Sequence, residues 1–88
     1  MSIVKLTILK DYPKTLAVPN YHHLRIFPSQ QQYFVEFLPN NDSPSIFCPK
    51  GTGVCLDETY IPKKKDCWVR FTNENDEPLE LAIEFFIP

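Results

Sequence analysis

Three cysteines and one adjacent histidine pair are the only soft metal ligands in the chain: Cys48, Cys55, Cys67 and His22-His23. A structural zinc site draws four such ligands together, usually from close spacings such as C-x2-C. Here six residues separate Cys48 from Cys55, and Cys67 lies farther on. That spacing matches no finger or ribbon, so no metal ligand set is assigned. Cys67 is in phase with Val69 and Phe71 and reads as a small core residue. An odd cysteine count with no export signal favours free thiols. Cys48 and Cys55 flank Pro49-Lys50-Gly51-Thr52-Gly53, which reads as a hairpin turn, so a cross-strand disulfide between them is geometrically conceivable.

Nucleophilic catalysis needs a nucleophile, a base within reach and a group that orients the base. Cysteine, serine, histidine and aspartate are all present, but no local pattern assembles them. In one strand, His22 and His23 point to opposite faces and cannot cooperate simply. Lys50-Gly51-Thr52-Gly53 lacks the spacing and the following helix of a phosphate loop. The Asx and Glx residues at 73–77 lack the glycine and distant glutamate of a calcium loop and read as a polar turn. The chain is expected to be non-enzymatic and to need no cofactor.

Aromatic residues beside basic ones are the remaining chemistry. Lys63-Lys64-Lys65 precedes Trp68 and Arg70, and a single-strand nucleic-acid binder wants stacking rings in a basic groove. Against that, the formal net charge is −2, and Glu36, Glu80 and Glu84 would face outward and repel phosphate. Phe34 shares a face with Glu36, opposite Tyr33, Val35 and Phe37. Trp68 shares a face with Arg70, opposite Val69 and Phe71. Phe86 breaks the outer row of Glu80 and Glu84. A two-layer sandwich buries one face of each sheet, so Phe34, Trp68 and Phe86 either cluster outside or lie under loops such as Asp11–Asn20. An exposed ring cluster marks a protein interface.

These residues must be positioned by strands. Nine prolines against two glycines cut the chain of 88 residues into pieces too short for a long helix. Leu79, Leu81, Ile83, Phe85 and Ile87 alternate with Glu80, Ala82 and Glu84, the mark of a half-buried strand. Ile3–Leu9 alternates likewise, with Val4, Leu6 and Ile8 on one face. Shorter strands are expected at His22–Phe27, Gln32–Leu38, Ser45–Cys48, Val54–Tyr60 and Cys67–Thr72. The polar clusters Pro39–Pro44 and Asn73–Pro78 each read as a turn joining an antiparallel pair. Asp11–Asn20 shows no pattern and reads as a crossing between sheets.

The expected fold is one all-β domain over residues 1–88. It is a small antiparallel β-sandwich of about seven short strands, with a closed or OB-like barrel as the alternative. With no apolar segment of membrane-spanning length and no leader-like opening, no membrane partner is expected. The expected location is the cytoplasm of the producing or infected cell, and Met1 argues against a chain cut from a precursor.

The leading functional expectation is a protein-interaction domain, binding a foreign protein or itself, with Phe34, Trp68, Arg70 and Phe86 as interface residues. An assembly subunit such as a virion or tail component, or a small inhibitor from a virus or mobile element, would act in this way. The alternative is a nucleic-acid-binding barrel using Lys63, Lys64, Lys65, Trp68 and Arg70.

Overall fold

A computed structural model describes residues 3–38, 45–61 and 66–88. Among these residues eight strands run in chain order: β1 Val4–Ile8, β2 Lys14–Ala17, β3 His23–Ile26, β4 Tyr33–Leu38, β5 Ile46–Cys48, β6 Val54–Leu56, β7 Trp68–Thr72 and β8 Leu79–Phe86. The first sheet has the order β1-β8-β3-β6 and the second β2-β7-β4-β5. Every ladder is antiparallel. With strands exchanged between two sheets in this order, the architecture is an eight-stranded jelly roll, a sandwich with free edges and not a closed barrel. Among the described residues there is no helix long and apolar enough to cross a membrane.

Period-two patterning builds this fold. In β4, Tyr33, Val35 and Phe37 are buried, while Phe34, Glu36 and Leu38 are only half-buried on the other face. β8 places Leu79, Leu81 and Ile83 in the core, and β1 and β3 flank it. One hydrophobic cluster joins the inner faces of both sheets. It includes Ile8, Leu24, Ile26, Val35, Phe37, Val69, Phe71 and Leu79, with Leu16 and Phe85 packed against it.

Several local expectations change. Residues 11–20 hold a strand as well as a crossing: Lys14, Thr15, Leu16 and Ala17 pair with Phe71, Arg70, Val69 and Trp68. Within the four-residue strand only Leu16 turns an apolar side chain inward, and the buried Val18 follows just past its end, so the alternation is too short to read from sequence. Asn73–Pro78 joins β7 to β8, which lie in different sheets, so it is a crossing and not a hairpin turn. The same holds for Pro49–Gly53, because β5 pairs with β4 and β6 with β3. Cys48 and Cys55 are therefore not cross-strand neighbours, and all three cysteines are free thiols. Gly51 has φ 77° at this crossing and donates its N–H to Ser29 O at 2.8 Å. That conformation favours glycine. The turn at 39–44 lies outside the described residues, though it joins the paired strands β4 and β5. At the end of β8, Ile87 passes the last ladder pair and is 68% exposed, so it is not core.

Candidate functional site

The two outer faces differ in chemistry. On the first sheet the side chains pair with one another. Thr7 Oγ1 donates to Glu80 Oε2 at 2.9 Å. Arg25 Nη1 donates to Glu84 Oε1 at 2.7 Å, and the same guanidinium lies 4.5 Å from the centre of the Phe86 ring. His23 meets Phe86 edge-on at 5.7 Å and approaches Glu58 with Nε2 at 3.6 Å. Glu84 is thus buried although it points outward, because Arg25 covers it. Phe86 is half-buried under the same arginine and does not form an open patch.

The second sheet presents a grid on its outer face. The register aligns Ala17 with Trp68 and Trp68 with Leu38 in one row. The next row aligns Thr15, Arg70 and Glu36. The third aligns Thr72, Phe34 and Phe47. Two apolar rows thus bracket one charged row. Trp68 is 45% exposed and Phe47 49%, while Phe34 is half-buried against Phe47 with ring centres 5.4 Å apart. In the charged row, Arg70 Nε donates to Glu36 Oε1 at 2.7 Å, and Arg70 Nη2 donates to the same oxygen. The Glu36 side chain retains 12% exposure and that of Arg70 39%.

Phe34, Trp68 and Arg70, anticipated from sequence, therefore share one surface. Phe86 does not join them, because β8 belongs to the opposite sheet. Phe47 and Leu38 complete the grid. The alternation of Ile46, Phe47 and Cys48 was the signal for Phe47, but a three-residue strand is a short run from which to take a phase. Lys63, Lys64 and Lys65 lie outside the described residues. β2 extends the sheet beside Trp68 instead of lying across the ring.

The other chemical groups among the described residues are dispersed over the molecule. Among the described residues, no three His, Cys, Asp or Glu side chains converge as metal ligands. Asn73 is buried and ties the β7–β8 crossing together. Its Nδ2 donates to Ile8 O and Glu77 O, each at 2.9 Å, while its Oδ1 accepts from Asn75 N and Nδ2, each at 2.9 Å. Asp76 is drawn out to Lys10 at 2.9 Å, and the hydrogen bond from Lys10 holds its carboxyl below the usual range. An open cleft of about 590 Å³ beside this crossing is lined by Gln30–Gln32, Lys50 and Asn75–Glu77. His22 Nδ1 lies 2.8 Å from Asn20 O, in a turn whose Tyr21 is 92% exposed with φ 65°.

No protein-family model matches the chain, and no curated protein matches it. Among solved structures it is similar to "Solution NMR structure of a de novo designed double-stranded beta-helix", with TM-score 0.70 and 15% identity over 98% of this chain and 100% of the other. At that identity the likeness concerns fold alone, and a fold of this kind hosts many unrelated functions.

Proposed function

We propose that this chain is a non-enzymatic protein-interaction domain that binds through the outer face of the second sheet. It would serve as an assembly subunit or as a small inhibitor of the kind viruses and mobile elements encode. The observation that carries this reading is the contrast between the two outer faces. The first sheet covers its one outward ring with Arg25 and His23. The second leaves Trp68 and Phe47 open around an ion pair that neutralises itself. Aromatic side chains and arginine are the groups that carry most binding energy when a partner excludes water from them. An apolar face with its charges already paired asks little of a partner beyond shape.

Arg70 weighs against the nucleic-acid alternative, because Glu36 already neutralises its guanidinium. The test compares partner capture and solution mass for wild type, Trp68→Ser, Phe47→Ser and a control on the other face, Thr7→Ala. The proposal expects the first two substitutions to abolish association and the control to leave it intact. Association indifferent to Trp68 and Phe47 would refute it. Tight, salt-sensitive binding of a labelled oligonucleotide by the same protein would move the assignment to the alternative.

A further inference from the structure

The outer grid of the second sheet has a property that singles out one kind of partner. β7 and β4 are its central strands, and their facing positions are unlike in a complementary way: Trp68 beside Leu38, Arg70 beside Glu36, Thr72 beside Phe34. A two-fold axis running along the strands, between β7 and β4, exchanges the two columns when a second copy is laid face to face. Trp68 of one copy then meets Leu38 of the other. Arg70 meets Glu36 and Glu36 meets Arg70, giving a square of alternating charge. Thr72 meets Phe34, so each larger side chain falls on a smaller one.

We propose that the partner of this face is a second copy of the same chain, docked sheet on sheet about that axis. The inference rests on the interface reading above and names its occupant. Isologous contacts need a self-complementary patch, and this exchange supplies it in both charge and size. Aligned sheets pack at about 30°, which separates the corners of the patch and keeps its central rows in contact.

The footprint sets the strength. Strands about 4.8 Å apart and rows about 6.8 Å apart give a patch roughly 15 Å on a side. That is well below the ~800 Å² per partner of a standard interface. The dimer is therefore weak and concentration-dependent, and dilution dissociates it.

The test uses charge reversal in separate copies. Glu36→Arg gives a face with two positive charges and Arg70→Glu a face with two negative ones. Sedimentation equilibrium of each variant alone, and of the two mixed, reads the mass across a concentration series. Each variant alone should self-associate at least about tenfold more weakly than wild type, and the mixture should recover a heterodimer. Because like charges within one chain also weaken its fold, a second measurement keeps the test decisive. In a Cys55→Ser background, copies carrying Thr72→Cys are mixed with copies carrying Phe34→Cys under mild oxidation, since the exchange also sets these two positions against each other. The exchange of columns requires the mixed disulfide to outnumber both symmetric ones. A wild type that stays monomeric to millimolar concentration overturns the second-copy assignment. The interface reading then still stands if Trp68→Ser abolishes capture of a foreign protein, and falls with it if capture is unchanged. A dimer that survives both charge reversals and yields no mixed disulfide also overturns the assignment, because it must use another surface.

Discussion

Arg70 lies along Glu36 across the β7–β4 ladder, donating from Nε at 2.7 Å and from Nη2 to the same carboxylate oxygen. The pair sits between Trp68 and Leu38 on one side and Thr72 and Phe34 on the other. Glu36 is nearly covered, so withdrawing the guanidinium takes charge compensation from a carboxylate that water cannot readily rehydrate. Arg70→Ala should therefore destabilise the fold by about 1–3 kcal/mol, an amount tempered by the partial solvent exposure of the arginine. Urea unfolding checks this, and replacing both residues together should cost less than the sum of the singles.

Asn73 is the densest hydrogen-bonding point of the described fold. Truncation to alanine removes the donor to the Ile8 and Glu77 carbonyls and the acceptor of the Asn75 backbone N–H at once. Asn73→Ala should cost about 2–4 kcal/mol, visible as a lower urea midpoint with an unchanged slope.

Tyr21 has φ 65° while lying almost wholly in solvent. A bulky residue holds that conformation at a cost of about 1 kcal/mol or more. Asparagine tolerates it better, so Tyr21→Asn should raise the melting temperature. A fall instead would mean that the ring makes a stabilising contact of its own.

Three buried groups make the fold sensitive to alkali. Burial pushes up the Cys48 and Cys67 thiols from the ordinary value of 9.0. Burial also raises the Tyr33 hydroxyl above its ordinary 10.0, with the Cys48 thiol across the ladder adding to the effect. The folded state thus holds these protons more tightly than the unfolded chain. Their contribution is complete below about pH 9 and is lost as pH rises above it. The melting temperature should fall progressively above that pH, and less steeply for Tyr33→Phe. That substitution also removes a buried hydroxyl with no hydrogen-bond partner, so it should be close to neutral at pH 7. In native protein a thiol reagent should modify exposed Cys55 quickly and the two buried cysteines only after unfolding.

The strands with strong alternation were legible from sequence because each inward side chain is apolar. Leu79, Leu81 and Ile83 show this, as do Tyr33, Val35 and Phe37. β2 was not legible, since a ladder with β7 makes it a strand while its own sequence contributes only Leu16 to the core. The position of Phe86 depended on topology. Period two placed it outside but could not say outside which sheet, and β8 proved to lie opposite β4 and β7. Glu84 shows the same limit from the polar side. Its outward phase was right, and only the packing of Arg25 explains its burial. Phe34, Trp68 and Arg70 were found together because each stands on the polar side of a clear strand.

Trp68 is the only tryptophan in the chain and stands in the face assigned to the second copy. Its fluorescence emission, followed across a dilution series alongside solution mass, tests that assignment most directly. A face-to-face dimer gives blue-shifted emission and a doubled mass at high concentration, both returning together to the solvated monomer on dilution. A mass that doubles while the emission stays fixed, or an emission and a mass that never change, would contradict it.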